Sequence, residues 1–223
     1  MIAGILPINK PTGKTSFSLV HLLRKLTHVQ KIGHTGTLDP FASGVMILLI
    51  GKKYTRQSDQ LLSQDKEYHA TLHLGITTDS YDIDGQIVQR SSHVPAQEEV
   101  QQALLHFQGT LLQTPPMYSA KKVQGKKLYE YARKGISLER EPVQITLRTS
   151  LLSYNYPYLN LHVHCTKGTY IRSLAYDLGL LLGCGAHLSA LTRIRNGNYT
   201  LSDCCDGARL ADPHYAWQSN LIT

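Results

Sequence analysis

The chain has 223 residues, 42% of them hydrophobic and 17% charged, with a formal net charge of +7. That length fits one sizeable domain at roughly 100–200 residues per domain, the composition can bury a core and excludes a disordered chain, and the charge favours polyanionic partners such as nucleic acid. The longest apolar run, residues 45–50, is far short of the ~20 residues that span a bilayer. Residues 1–11 lack the pattern of a secretion signal, and Cys165, Cys184, Cys204 and Cys205 form no C-x-x-C pair. The expectation is a cytoplasmic protein with reduced thiols.

In chain order, residues 4–9 read as a short strand ended by Lys10-Pro11. Thr15 or Ser16 can cap a helix whose apolar positions Leu19, Leu22, Leu23 and Leu26 follow i, i+3, i+4, i+7. Residues 45–50 read as a buried strand. Residues 68–74 alternate, with Tyr68, Ala70, Leu72 and Leu74 on one face. Val100, Ala103, Leu104 and Phe107 predict a helix that stops at Gly109, with Glu98 and Glu99 suiting the dipole of its first turn. A short helix over 127–134 ends at Gly135. Residues 143–152 and 158–166 read as an antiparallel pair joined through Asn155-Tyr156-Pro157. Ile171, Leu174, Ala175, Leu178, Leu181 and Leu182 define the clearest amphipathic helix, ended by Gly183. Strands outnumber helices without alternating regularly with them, which predicts an α+β fold with a mainly antiparallel sheet.

The charge is uneven. Residues 10–56 hold eight Lys/Arg against one acid, residues 57–110 two against eight, and residues 115–140 seven against two. A groove for a phosphate backbone would use the two basic segments; ordinary solvated faces would show the same counts.

The segment Lys31-Ile-Gly-His-Thr-Gly-Thr-Leu-Asp-Pro-Phe-Ala-Ser-Gly44 is rich in glycine and hydroxyl residues just before a buried strand. Asp39 is the only acid before Arg56, and Pro40 holds it out of the helical region. A lone carboxylate among cations stays ionised and can act as a nucleophile; the same spacing also suits a turn-capping Asp39 with His34 bonded to backbone. Gly13-Lys14-Thr15 resembles the end of a phosphate-binding loop, but the first glycine of that motif falls on Ile8, and Pro11 removes an N–H. Lys167-Gly-Thr-Tyr-Ile-Arg-Ser173 opens the amphipathic helix. There Arg172 suits a carboxylate or phosphate partner, or simply the exposed face of a surface helix. His162 and His164 share a strand face without a third metal ligand in reach of the spacing. Tyr68 suits base stacking or the core.

Together these segments resemble the tRNA pseudouridine 55 synthases of the bacterial type, which modify the T loop. The resemblance rests on Gly4-Ile-Leu-Pro-Ile-Asn-Lys-Pro-Thr-Gly-Lys-Thr-Ser16, Gly33-His-Thr-Gly-Thr-Leu-Asp-Pro40 with Ala42-Ser-Gly44, Lys66-Glu-Tyr68, Thr78-Asp-Ser-Tyr-Asp82, Pro115-Pro-Met-Tyr-Ser-Ala120, Gly125-Lys-Lys-Leu-Tyr-Glu-Tyr-Ala-Arg133, Lys167-Gly-Thr-Tyr-Ile-Arg172 and Gly183-Cys-Gly-Ala-His-Leu188. It implies the pseudouridine synthase fold over residues 1–200, a central mixed, largely antiparallel sheet flanked by helices with the active cleft across it. It further implies Asp39 as catalytic aspartate, Arg172 as its partner, Tyr68 stacked on the target uracil and a candidate for proton removal at C5, and His34 near the base-flipping site. Lys10, Asp82, Tyr170 and Leu191 match further cleft residues. Residues 115–140, with Lys121, Lys122, Lys126 and Lys127, match a basic insertion that grips the stem-loop. The resemblance also implies a small C-terminal RNA-binding domain, for which the residues after 200 are too few; residues 201–223 are expected to be a shortened remnant packed on the core. The reaction so implied needs no metal or cofactor. Its partner is tRNA, met by a monomer. A tRNA-binding or folding chaperone without activity and, more remotely, a nucleotide hydrolase are the rival readings.

Overall fold

The computed structural model describes residues 2–123 and 125–223. The chain divides into two compact units, residues 1–69 with 191–223, and residues 70–190.

The first unit begins with strand β1 (Gly4–Lys10) and helix α1 (Ser16–Thr27). Thr15 caps α1 by accepting from Ser18 N at 3.0 Å, which satisfies one of the orphan donors of the first turn. The buried face of α1 is Leu19, Val20 and Leu23, while Leu26 is 39% exposed. The stripe is thus turned by one position from the one its leucines suggest, because β-branched Val20 fills the core in place of Leu22. Strands β2 (Ile32–Thr35) and β3 (Ser43–Ile50) follow, then short helices α2 (Lys52–Thr55) and α3 (Ser58–Leu62) and strand β4 (Lys66–Leu74), whose last residues belong to the second unit. β3 is buried from Gly44 to Ile50 because antiparallel neighbours flank it: β1, with Ile8 opposite Met46, and β2, with His34 opposite Leu48. Ile47, Leu49 and Tyr54 form a core cluster against Ile5, Leu61 and Tyr199.

The second unit continues with β5 (Ile76–Thr78), β6 (Ile87–Arg90), α4 (Gln97–Leu105), β7 (Gly109–Gln113), the small hairpin strands β8 (Lys122–Val123) and β9 (Lys126–Lys127), α5 (Leu128–Ala132), β10 (Val143–Asn155), β11 (Tyr158–Cys165), α6 (Ile171–Leu181) and the start of β12 (Ala186–Asn196). β10 pairs antiparallel with β11 and with β7. α6 buries Ile171, Leu174, Ala175 and Leu178, and leaves Leu181 50% exposed at its frayed end. The chain returns to the first unit in β12 and adds β13 (Tyr199–Thr200) and β14 (Cys205–Asp206). There β12 runs parallel to β3, β14 runs parallel to β1, and Ile222 bridges Ile5.

The fold is α+β with mixed, mostly antiparallel pairing, as the sequence implies. Strands β2, β5 to β9 and β12 to β14 escape that reading, β7 and β12 being the longest of them. β7 follows α4 after only three residues, so its Leu111 and Leu112 continue an apolar pattern that looks helical. β12 carries Arg193 and Arg195 among its residues and lacks a clean alternation. All four cysteines are free. Among the described residues no helix is long and apolar enough to cross a membrane, and no group of three His, Cys, Asp or Glu could hold a metal ion.

Candidate active site

In the first unit, the loop between β2 and β3 carries Asp39 and is pinned from several sides. Ser16 Oγ donates to Leu38 O and accepts from Leu38 N, both at 3.0 Å. Gly13 N donates to Pro40 O at 2.8 Å, and Ala42 N to Asp39 O at 3.1 Å. Gly44 has φ +109°, and a Cβ there would collide with the backbone of Arg193 on β12; glycine is what lets the two parallel strands approach.

Two cations are buried beside this loop. Lys10 has no exposed surface, and its Nζ donates to Pro11 O at 2.8 Å, Lys14 O at 2.6 Å and Pro40 O at 3.4 Å. Burial lowers its pKa to about 8, with the Asp39 charge acting to raise it and the Arg193 charge to lower it. Arg193, 1% exposed, donates through Nε to Val45 O at 2.6 Å and through Nη2 to Gly36 O at 3.1 Å. Asp39 itself is half-exposed. Burial first, and then the Arg193 charge, push His34 below the usual histidine range. Its Nδ1 is buried without a hydrogen-bond partner among the described residues, so the ring stands neutral and planar at neutral pH. Tyr68 and Leu191 lie in this unit too, 6% and 8% exposed. Lys14 is exposed at the start of α1 and Thr15 occupies itself with the cap, so these residues do not build a phosphate cradle.

In the second unit, Arg172 sits in the first turn of α6. It is 6% exposed, not on an outer face. A single polar residue beside an apolar stripe gives no sign of its burial when its partner lies 90 positions away. Nη1 meets Asp82 Oδ2 and Ser80 O, both at 3.3 Å, and Nη2 donates to Tyr118 O at 2.8 Å. The start of α6 is fixed by Gln113, whose amide donates to Tyr170 O at 3.0 Å and accepts from Tyr170 N at 2.8 Å. Ser173 Oγ donates to Thr114 O at 2.9 Å. Asp82, 5% exposed, accepts at Oδ1 from Ser80 Oγ and from Asp84 N at 3.1 Å. The preceding residue, Tyr81, has φ +65°, a left-handed conformation that costs a residue with a Cβ roughly 1–2 kcal/mol.

The basic insertion contains the hairpin of β8 and β9, with Lys122 opposite Lys127. Lys122 and Lys126 are exposed and Lys121 and Lys127 half-buried. Lys121 Nζ donates to Glu141 O at 3.2 Å. Lys127 and Arg133 stand 5.4 and 5.2 Å from the ring centre of Tyr129, cation–π distances that hold the charges outward-ready without neutralising them. His162 and His164 alternate with buried Leu161 and Val163 on β11. Sequence reasoning missed Arg193, Gln113 and Ser80; nothing in the local pattern separates a buried arginine in a strand from a solvated one.

The family model for the N-terminal domain of TruB family pseudouridylate synthases matches residues 24–171, and the tRNA pseudouridylate synthase B C-terminal domain model matches residues 172–222. The chain belongs to the TruB family. Among curated relatives, a tRNA pseudouridine synthase B of Protochlamydia amoebophila is 61% identical over 94% of this chain and 80% of its own. That of Chlamydia pneumoniae is 57% identical over 95% and 90%. A chain in the crystal structure of a Cbf5-Nop10-Gar1 complex is similar with a TM-score of 0.74 and 30% identity over 97% of this chain. The match spans 56% of that longer chain. The family's C-terminal model begins at the residue-172 arginine itself, inside α6.

Proposed function

We infer that this TruB family member isomerises uridine to pseudouridine in tRNA and that its target is the T loop, at position 55. The observation that carries the reading is the placement of Asp39, the lone acid of its glycine-walled loop, beside buried Lys10 and Arg193 in a chain 61% identical to a curated tRNA pseudouridine synthase B.

The reaction breaks the N1–C1′ bond of the nucleoside, turns the uracil and joins C5 to C1′; the C5 proton is lost and N1 takes one up, so the product is an isomer of the substrate. It is redox-neutral. Asp39 is assigned as the nucleophile, at ribose C1′ or uracil C6, with elimination of a ribose proton to a glycal as the third scheme, and Arg172 is assigned as its partner cation. Tyr68 is assigned to stack on the ring, worth about 1–3 kcal/mol, and to assist loss of the C5 proton. The target base must leave its stack first, and neutral His34 suits the gap it vacates. Lys10, Asp82, Tyr170 and Leu191 are assigned to line the site. The lysines at 121, 122, 126 and 127 are assigned to the phosphate backbone of the stem-loop, a shape read through splayed bases and backbone rather than sequence. The enzyme is read as a cytoplasmic monomer that works without a protein partner.

Tritium release from tRNA labelled at uridine C5 tests this. The parent is expected to release it, and Asp39→Asn to lose more than about a thousandfold in rate while binding tRNA with affinity close to the parent's. Full activity of Asp39→Asn refutes the nucleophile assignment. A parent that binds tRNA and leaves it unmodified is a tRNA-binding protein instead. Mapping pseudouridine in bulk tRNA from cells with and without the protein tests the T-loop target.

A further inference from the structure

Tyr81 interrupts the turn from Thr78 to Gly85 with a left-handed backbone that a glycine would adopt without strain. Its conformation is pinned at both backbone groups: Tyr81 N donates to Thr78 O at 3.2 Å, and Leu188 N donates to Tyr81 O at 2.9 Å. The Tyr81 ring lies on that of Tyr176, with centroids 3.9 Å apart and planes at 19°. Tyr176 is one helical turn beyond Arg172 on α6, so both side chains leave the same face of the helix. The two therefore grip one turn at adjacent points. Arg172 takes Ser80 O and the Asp82 carboxylate, and Tyr176 takes the ring of the residue between them. Arg140, at the end of the basic insertion, anchors on Pro115 O at 3.1 Å, and its charge acts on the Tyr81 phenol to lower its pKa. Burial, followed by the neighbouring Tyr176, raises the Tyr81 pKa, so the phenol stays protonated.

A bulky residue kept where glycine fits better marks a place where structure is over-determined for a purpose. We propose that the stacked pair Tyr81–Tyr176 is a positioning device that holds Asp82 in register with Arg172, and that Tyr81 and Tyr176 are positioning residues for the isomerisation. The ring stack locks the turn so that the carboxylate and guanidinium meet in one geometry. Loosening it lets Asp82 swing away without unfolding the unit. The inference rests on the proposed activity, because it is read through the rate.

The test compares the parent with Tyr81→Gly, Tyr176→Ala and Tyr176→Phe, all scored per folded enzyme for kcat and KM with tRNA, together with the melting temperature. Tyr81→Gly removes the backbone strain along with the ring, so stability and rate part company. It is expected to stay folded and yet lose roughly 10- to 100-fold in kcat, the scale of a misplaced catalytic group. Tyr176→Ala is expected to match it, Tyr176→Phe to keep the parent's rate, and KM to change by less than about threefold throughout. Parent-like kcat in Tyr81→Gly and Tyr176→Ala overturns the proposal. So does a loss confined to KM, which makes the rings RNA contacts, and so does a loss that vanishes once folded enzyme is counted. A parent without activity defeats the proposed function itself, a result distinct from an active parent indifferent to the stack.

Discussion

The two units take a cation out of water by opposite means. Lys10 in the first unit is held by backbone carbonyls, with the Asp39 charge acting on it, and burial brings its pKa to about 8. Arg172 in the second unit is given a buried carboxylate, Asp82, along with two carbonyls. Carbonyl dipoles leave a net positive charge behind, and that charge favours an anion nearby. The Arg172–Asp82 ion pair instead ties two segments of the second unit together as a rigid strut. Arg172 is held by two segments of its unit, residues 80–82 and Tyr118.

Breaking the strut should have the largest effect. Arg172→Met removes the buried cation that meets Asp82 Oδ2, and breaking a buried ion pair costs about 3–5 kcal/mol; urea denaturation should show that loss and tritium release should fall to background. Combining it with Asp82→Leu removes the buried carboxylate as well and should return a large part of the stability and none of the rate.

Lys10 should be milder and should depend on pH. Its charge is lost as pH rises through about 8, so kcat/KM of the parent should decline along an alkaline limb near that value, and the limb should be absent in Lys10→Met at an overall rate roughly tenfold lower. Linkage fixes the sign for stability. Below about pH 8 the lysine is protonated in both states and its contribution is constant. Between about 8 and 10.5 the unfolded chain binds the proton and the folded chain does not, so the parent should gain stability with pH relative to Lys10→Met. Denaturation at pH 7, 9 and 10.5 checks this.

The smallest effect belongs to a third arrangement. Arg195 bonds Asp65 and Glu67 at 2.8 Å each, but these groups are partly exposed. Arg195→Leu should cost about 0.2–1 kcal/mol and leave activity within twofold. A larger loss would place this network in the folding core.

Legibility in the sequence followed periodicity. Buried β3, the β10–β11 pair, α1 and α6 announce themselves because their apolar residues recur at the spacing of the element. The Asp39 loop is visible because an isolated acid among glycines is chemically odd. Arg193, in contrast, sits in a strand whose burial is paid by carbonyls of residues 36 and 45, partners roughly 150 positions away that no local window contains. The Tyr81–Tyr176 stack is hidden for the same reason, and the left-handed backbone of Tyr81 has no glycine to signal it.

The parallel pairing of β14 with β1, reinforced by Ile222 bonded to Ile5 in both directions, sets a timetable for biosynthesis. Residues 8 and 9 leave the ribosome about two hundred codons before residues 205 and 206, an interval of about 10–40 s at typical elongation rates. The nascent strand β1 therefore waits with one hydrogen-bonding edge open, and the first unit closes only once residues 205–206 and 222 have been made.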